Sequence, residues 1–339
     1  MNHIEFYKLS KDEKINVFKE ILDTIDLPIH AIEKDWWVVQ ALRTIFSMEV
    51  GEHILFKGGT SLSTAWGLIE RFSEDVDLAL NKEYLGFDSG LISKTQVRKL
   101  RTKSFEYITE VFAKDLQSAF EEQGITDLRY EFENLGDGDQ DPVSILIYYP
   151  YVTEHSAYLE PRIKVEMGSR SLRDPYSSRK VQSLVGQVFD GRPFADEAID
   201  IACVNPERTY LEKLYLLHEE FQRPADKIRV DRLSRHLYDI ERIYKSDHSV
   251  KALDKNLISE IIEHRRIFSA MKGVDYDKLY PPHLNSIPPD EYIDAWEADY
   301  KKMQQDMIHG KSLPFDQLIE VIREALSQYN NQVKEADGK

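Results

Sequence analysis

Two aspartates separated by one residue, Asp75 and Asp77, are the side chains in this sequence best suited to chemistry. The alternation in Asp75-Val76-Asp77-Leu78 predicts a strand with both carboxylates on one face, about 7 Å apart along it. Carboxylates at that separation can share divalent metal ions, because hard cations such as Mg²⁺ prefer oxygen ligands. A polar strand edge would give the same Asp-x-Asp pattern, so the neighbouring sequence has to decide between these interpretations.

A double glycine, Gly58-Gly59, lies before the aspartates in the chain. The apolar run from His53 to Phe56 predicts a short buried strand, and Ser61 to Ile69 predicts the helix that follows the glycine turn. Backbone N–H groups freed at the turn, together with the hydroxyls of Thr60 and Ser61, predict a phosphate site. A phosphate site before paired carboxylates favours metal-dependent phosphate chemistry over a polar strand edge.

The elements that must position these residues fall into two parts of the chain. Before about residue 200 the patterns are mixed, and after Asn205-Pro206-Glu207, a strong helix start, they are helical to about Gln328 apart from Tyr280 to Pro289. Helices are predicted over 31–46 and 95–123, and strands over Leu128–Phe132, Val143–Tyr149 and Arg162–Met167. We therefore expect an α/β (α+β) core with a mixed sheet over residues 1–200 and a mostly α-helical domain over 201–339.

Composition limits the class of protein. A chain of 339 residues with 42% hydrophobic content can bury two cores. It has no apolar run near the roughly 20 residues of a membrane span, and its polar N-terminus is unlike a secretory signal. A single cysteine, Cys203, excludes an intramolecular disulfide. These features predict a cytoplasmic protein that does not bind membranes.

The distribution of charge bears on the partner. A net charge of −16 argues against a generic nucleic-acid binder, because sequence-independent affinity for phosphates needs excess Lys and Arg. Three basic runs stand out nonetheless, over residues 94–103, which include Arg98, Lys99 and Arg101, over 162–180 and over 223–235. A solvated helix face explains any single run better, whereas all three near one site would supply a positive surface for a nucleic-acid acceptor.

The strand, Gly-Gly-Thr/Ser turn, helix and Asp-x-Asp strand resemble the DNA polymerase β-type nucleotidyltransferase superfamily. More narrowly, FKGGTSLSTAWGLIERFSEDVDL is similar to the AbiEii/AbiGii toxin family, the nucleotidyltransferase toxins of bacterial toxin–antitoxin and phage-defence pairs, which includes the MenT toxins. Further stretches in that family's order are IEKDWWV (32–38), RIKVEM (162–167), ERTYLEKLYLLH (207–218) and SRHLYDI (234–240). The resemblance covers roughly residues 30 to 245.

This resemblance assigns roles to further residues. The superfamily's third carboxylate falls on Glu166, which would hold Mg²⁺, two ions in all, with Asp75 and Asp77. Lys213 matches a lysine that contacts nucleotide phosphates, and Asp239 matches an acid that completes the active-site cleft, to which the helical domain contributes. Without the resemblance, Lys213 is equally an exposed residue beside an apolar stripe. The predicted nucleotide-binding residues are Lys57, Gly58, Gly59, Thr60, Ser61, Lys164 and Lys213, and the predicted acceptor-binding residues are Arg98, Lys99, Arg101, Arg235 and His236.

The function implied is that of a Mg²⁺-dependent toxin with a cognate antitoxin. It would transfer a nucleotide from a nucleoside triphosphate to an RNA acceptor, the 3′ end of tRNA being a plausible one, and so block translation. Transfer to a protein hydroxyl or a small molecule would use the same metal site. A nucleotide-binding module without catalysis is the alternative of another class, although all three carboxylate positions are filled.

The early triplet Glu33-Lys34-Asp35 also matches the family's pattern. Its expected role is structural, with Trp36, Trp37 and Val38 burying the helix against the sheet. Lys34 or Asp35 is expected to border the cleft.

Overall fold

A computed structural model describes residues 4–25, 27–73, 75–88, 93–136, 138–154, 160–169 and 175–332. Packing divides the chain into two units. The first comprises Met1–Gly67 and Phe72–Val204, and the second comprises Leu68–Arg71 and Asn205–Lys339. Within the described residues, no helix is both long and apolar enough to cross a membrane.

A seven-stranded mixed sheet forms the centre of the first unit. Its strands are β1 (Ile54–Lys57), β2 (Asp75–Leu80), β3 (Arg129–Glu133), β4 (Val143–Tyr148), β5 (Arg162–Gly168), β6 (Tyr176–Val181) and β7 (Ile199–Val204), in the order β3-β4-β5-β2-β1-β7-β6. β2 pairs with β5 and β1 with β7 in parallel, and the other four pairs are antiparallel. The Asp-x-Asp strand therefore lies in the middle of the sheet. The predicted mixed α/β fold with a mixed sheet is confirmed.

Helices surround this sheet and make up most of the second unit. In the first unit they are α1 (Glu5–Lys8), α2 (Lys11–Leu22), α3 (Ile29–Ser47), α4 (Gly58–Thr64), α5 (Lys94–Tyr107), α6 (Ala113–Glu122) and α7 (Leu184–Val188). In the second unit they are α8 (Pro206–Phe221), α9 (Ser234–Tyr244), α10 (His248–Lys251), α11 (Lys255–Phe268), α12 (Ile293–Asp306) and α13 (Phe315–Asn330). The predicted helical character of the C-terminal part is confirmed.

Several elements differ from the sequence prediction. The helix after the double glycine was predicted over Ser61–Ile69, but α4 spans Gly58–Thr64, and Gly67 follows it with a φ of +61° that a continuing helix cannot contain. The helix predicted over 95–123 is present but is interrupted by a π-helical turn at Ile108–Phe112. Sequence patterns also missed the strands β6 and β7. β6 is an edge strand rich in polar residues, and one-sided exposure weakens its apolar signal.

The triplet Glu33-Lys34-Asp35 lies near the start of α3 and connects three segments of the first unit. The carboxylate of Glu33 accepts hydrogen bonds from the N–H groups of Val152 and Thr153, at 2.7 and 3.0 Å. Lys34 Nζ donates to the carbonyl of Glu160 at 3.2 Å, just before β5. All three side chains therefore have bonds to backbone inside this unit, as the expected structural role requires, since Asp35 Oδ2 accepts from Leu184 N–H at 2.7 Å.

The buried carboxyl of Asp35 predicts a pH dependence of stability. Burial raises the pKa of Asp35 to about 7; the hydrogen bond from Leu184 opposes this rise, and the charge of nearby Asp196 adds to it. Asp196 itself lies 3.7 Å from Arg43. The folded state thus keeps a proton that the unfolded state, with an ordinary aspartate pKa near 3.8, releases. Between these two values the free energy of unfolding should fall with rising pH, by up to about 1.4 kcal/mol per pH unit.

Asp35→Asn removes the titration and keeps an oxygen that can accept from Leu184. We expect the free energy of unfolding of the wild type to fall relative to that of Asp35→Asn as pH rises from about 4 to 7. Urea titrations at several pH values measure this difference. Parallel curves for the two proteins across that range would contradict the prediction.

Candidate functional site

The glycine turn brings backbone against the Asp-x-Asp strand. β1 ends at Lys57, and Gly58 begins α4 with a φ of +77°, a conformation that favours glycine. A Cβ at Gly58 would lie 2.0 Å from Asp77 Oδ2, so any side chain there would overlap the carboxylate. Glycine is therefore required at this position both by its φ and by the closeness of Asp77.

The two hydroxyls predicted to bind an anion are used inside the turn. Thr60 Oγ1 donates to the carbonyl of Asp75 and lies 3.0 Å from Ser73 Oγ, while Ser61 Oγ donates to the carbonyl of Gly58 at 3.0 Å. Both side chains are buried. They fix the turn against the start of β2, which leaves backbone N–H groups as the anion donors that the turn can offer.

Both aspartates lie on the face of β2 that the alternation predicted. Val76 and Leu78 are buried, whereas Asp75 and Asp77 are half-buried on the other side. The register sets Asp77 opposite Lys57 of β1 and opposite Glu166 of β5. Three residues named from the sequence thus lie side by side on adjacent strands.

Lys164 lies two positions before Glu166 on the same face of β5 and opposite Asp75. Its Nζ is 2.8 Å from Glu166 Oε1 and 2.7 Å from Glu133 Oε2 on β3. Burial would lower the pKa of Lys164, but its hydrogen bonds to Glu133 and Glu166 outweigh this effect, so the pKa lies above its usual value. The ammonium is therefore a fixed positive charge among carboxylates. The sequence analysis did not single out Glu133, because no spacing on one strand shows which residue lies across a sheet.

Electrostatics keep Glu166 ionised. Burial raises its pKa, but hydrogen bonds and charge from Lys164, with a further hydrogen bond from Ser144, lower it more, so the pKa lies below its usual value. Ser144 Oγ donates to Glu166 Oε1 at 3.2 Å. An ionised carboxylate beside Asp77 is a suitable oxygen ligand for a divalent metal.

The donor set fits Mg²⁺ in its chemistry. Asp75, Asp77 and Glu166 offer only oxygen, and the missing Cβ of Gly58 leaves space beside Asp77 Oδ2. Among the described residues, no three His, Cys, Asp or Glu side chains already converge closely enough to enclose an ion. Lys164 contacts Glu166 at Oε1, and a carboxylate has a second oxygen that could ligate a metal ion while this contact is kept.

In the helical unit, a second group of charges centres on Asp239 of α9. Its Oδ1 and Oδ2 accept from Arg71 Nε and Nη2, each at 2.7 Å, and Lys213 Nζ of α8 lies 2.9 Å from Oδ2. Burial would raise the pKa of Asp239, but the charges of Arg71 and Lys213 outweigh it, and the pKa lies well below its usual value. Arg71 is a residue that the sequence analysis missed, although it lies within the quoted motif.

Cations surround Asp239 in this group. Arg71 and Lys213 contact its carboxylate, and Arg235 adds its field at Lys213. Burial lowers the pKa of Lys213, and the charge of Asp239 opposes this effect. Burial and the charges of Lys213 and Arg235 hold the pKa of His236 well below its usual value, so the imidazole is neutral near pH 7. The Nδ1 atom of His236 lies 3.4 Å from Lys213 Nζ.

The basic runs over 94–103 and 223–235 differ in how far carboxylates neutralise their side chains. On α5, Arg98 and Lys99 are exposed and Arg101 is half-buried, and within the described chain neither Arg98 nor Lys99 forms an ion pair. In the run over 223–235, by contrast, Arg223 and Arg229 both bind Glu220, at 3.1 and 2.6 Å. The positive surface of α5 is therefore the more available of the two.

Comparison with known families identifies the class. The family described as nucleotidyl transferase AbiEii toxin, type IV TA (toxin–antitoxin) system, matches residues 40–321. This span is most of the chain, and the protein belongs to that family. It is therefore an enzyme, a nucleotidyltransferase toxin of a toxin–antitoxin system, and the resemblance inferred from the motifs is confirmed. The comparison with curated proteins gave no match.

Membership has consequences for the earlier expectations. It implies a metal-dependent reaction, a nucleoside triphosphate substrate and a cognate antitoxin, and it removes the alternative of a module without catalysis. The match continues to residue 321, far beyond residue 245, where the recognised motifs end. It begins at residue 40, so the triplet Glu33-Lys34-Asp35 lies outside it.

Proposed function

We propose that this protein transfers a nucleoside monophosphate from a nucleoside triphosphate to an RNA acceptor, plausibly the 3′ end of tRNA. In this reaction an acceptor hydroxyl oxygen bonds to the α-phosphorus while the bond to pyrophosphate breaks. Blocking the 3′ end would prevent aminoacylation and so stop translation. The observation that carries this proposal is the register that sets Asp77 opposite Glu166, with the Gly58 backbone against the Asp77 carboxylate.

The sheet residues have defined roles in the proposal. Asp75, Asp77 and Glu166 hold Mg²⁺, two ions in all. When bound, the metal ions neutralise triphosphate charge and stabilise the attacking and leaving oxygens. Lys164, with its raised pKa, stays charged, would orient Glu166 and could also contact a phosphate.

The turn residues serve the triphosphate. Backbone N–H groups at Gly58 and Gly59 are the proposed phosphate donors, with Lys57 beside them. Thr60 and Ser61 act indirectly, because their hydroxyls hold the turn in place.

In the helical unit, Lys213 is the proposed phosphate-contacting lysine. Its position beside Arg71 and within the field of Arg235 supports this role, because neighbouring cations attract a phosphate. Asp239 completes the group by holding Lys213 and Arg71 in place. Arg235 and His236 precede Asp239 on α9, and the charge of Arg235 acts on both Lys213 and His236. Arg235 and His236 are proposed to contact phosphate or acceptor.

The exposed cations Arg98 and Lys99 of α5 support an RNA acceptor. Neutralising Arg98, Lys99 and Arg101 to Gln should weaken RNA binding and flatten its dependence on salt, by about 2 in the slope of log affinity against log salt. Nucleotide binding should stay nearly unchanged, because the triphosphate site uses other residues. A matched control replaces the exposed lysines Lys11, Lys19 and Lys255 with Gln, which changes net charge equally.

The decisive assay incubates total host RNA with each labelled nucleoside triphosphate in turn and resolves the products on a gel. We expect label on a discrete RNA band with wild-type protein and with the lysine control, and weak label with the α5 variant. Label that appears only on protein or on a small molecule would favour transfer to such an acceptor. An RNA affinity that is unchanged by the α5 substitutions and independent of salt concentration would also reject the RNA acceptor.

A further inference from the structure

A tyrosine with two arginines near its ring lies on the sheet face that carries the paired aspartates of β2. The register sets Arg129 of β3 opposite Tyr148 of β4, and Tyr148 opposite Arg162 of β5. Arg162 lies two positions before Lys164, which is opposite Asp75. Residues opposite each other on neighbouring strands, and alternate residues of one strand, point to the same face of a sheet. These side chains and the proposed metal ligands therefore share one face within the first unit.

The register also gives the distance from this tyrosine to the proposed metal site. Tyr148 lies two strands away from Asp75 and about two residues further along the strand direction. With strands about 4.8 Å apart and a rise of about 3.3 Å per residue, the two Cα atoms are about 12 Å apart. A nucleic-acid strand with stacked bases advances about 3.4 Å per nucleotide. An RNA strand whose 3′ end lies at the metal site would thus reach Tyr148 within a few nucleotides.

Arg129 is exposed but held in one orientation. Its guanidinium lies over the Tyr148 ring, with Cζ 3.7 Å from the ring centre, and forms an ion pair with Glu131. The Arg129 side chain is nevertheless 59% exposed. The Cζ of Arg162 is 5.9 Å from the centre of the same ring. A guanidinium that is already fixed against a ring can bind a further flat group at a smaller cost in side-chain entropy.

The charges of this surface favour a base over a phosphate. Arg162 Nε bonds to Glu160 Oε2 at 2.7 Å, as Arg129 is paired with Glu131. Because a carboxylate matches each guanidinium, an added phosphate would gain little from their charge. A nucleobase binds in another way, since its flat face stacks on aromatic rings and on guanidinium planes.

We propose that Arg129, stacked on Tyr148, binds a nucleobase of the RNA acceptor near its 3′ end. The exposed plane of Arg129 contacts the base, and Tyr148 positions the guanidinium. This inference rests on the proposed function, because it takes RNA as the acceptor and Asp75 as a marker of the reacting end. A cross-strand pair that only stabilises the sheet would show the same Arg129–Tyr148 contact, so the test must separate these two roles.

Arg129→Lys keeps the charge and removes the flat guanidinium. We expect it to raise the KM for RNA at least about fivefold, the lower end of what stacking one base contributes, and to leave the KM for nucleoside triphosphate unchanged. Tyr148→Leu should act like Arg129→Lys, whereas Tyr148→Phe keeps the ring and should match wild type. The control is Arg323→Lys, since Arg323 of α13 is 56% exposed and also pairs with a carboxylate, that of Glu320. It should change neither KM.

A matched change in the RNA tests whether the base itself is contacted. The probe is a fluorescent single-stranded RNA of about ten nucleotides, with an abasic site at each of the last four positions in turn. Fluorescence anisotropy in Mg²⁺, without nucleoside triphosphate, measures its affinity. At one position the missing base should weaken binding to wild type at least about fivefold and should not weaken binding to Arg129→Lys further. Losses that do not add in this way indicate that the two groups are in contact.

Losses that add at every position would overturn the inference, and so would equal KM values for RNA in Arg129→Lys and Arg323→Lys. A rise in the KM for nucleoside triphosphate alone would assign the base to that substrate and also overturn it. Unchanged RNA affinity in Arg129→Lys would indicate a phosphate contact, because an ammonium keeps the charge. Failure of the proposed function looks different, since wild-type protein would then label no RNA even where the binding assay shows the coupling.

Discussion

Asp77→Asn should lower nucleotide transfer by more than about 100-fold while leaving the fold intact. Changes to residues that merely orient metal ligands already cost about 10- to 100-fold, and Asn removes the charge of a proposed ligand itself. The protein should tolerate the change, because Asn keeps the shape of the side chain and removes a negative charge beside Glu166. Transfer of label from nucleoside triphosphate to RNA in Mg²⁺ measures the loss, and circular dichroism checks the fold.

Asp200→Asn is the matched control. Asp200 is an aspartate on β7 of the same sheet, but its side chain is 65% exposed and pairs with exposed Lys180. Wild type and this control should also arrest growth when expressed without the antitoxin, and Asp77→Asn should not. Wild-type rates in Asp77→Asn would reject the metal site, and equal growth of all three strains would reject toxicity through this chemistry.

Asp239→Asn should lower the free energy of unfolding by about 3–5 kcal/mol. The change leaves Arg71 and Lys213 buried without a compensating charge, and breaking a buried ion pair from one side costs about that much. The pKa of Asp239 is depressed in the folded state, so its contribution is present above its ordinary pKa of about 3.8 and is lost as pH falls further. Urea unfolding at pH 7 measures the effect.

Replacing the whole group separates charge from packing. Arg71→Met, Lys213→Met and Asp239→Leu together should recover most of the stability lost in Asp239→Asn, because no unpaired charge remains. This triple variant should nonetheless lose nucleotide transfer, because the proposed phosphate contact of Lys213 is gone. Equal stability of wild type and Asp239→Asn at pH 7 would show that the three charges are not coupled.

The local elements around the proposed metal site could be predicted from the amino-acid sequence. Alternation in Asp75-Val76-Asp77-Leu78 indicated a strand with one polar face, because side-chain direction on a strand depends only on position. The double glycine indicated a turn, since positive φ favours glycine, and the motif order indicated the family that the match over residues 40–321 confirms. Assignments to Glu166, Lys213 and Asp239 came from resemblance, and their roles in catalysis remain predictions.

Which of these residues meet depends on the packing of the whole chain. Strand order sets Glu166 opposite Asp77 and brings Glu133 to Lys164, and no pattern within one strand encodes such neighbours. Arg71 lay unnoticed in the motif because its partner Asp239 is far away in sequence, and a long-range ion pair leaves no local periodicity. Leu68–Arg71 is the clearest case, because a four-residue segment carries too little apolar pattern to show that it packs with the helical unit. Local conformation follows from neighbouring residues, whereas register and burial follow from the packing of the whole chain.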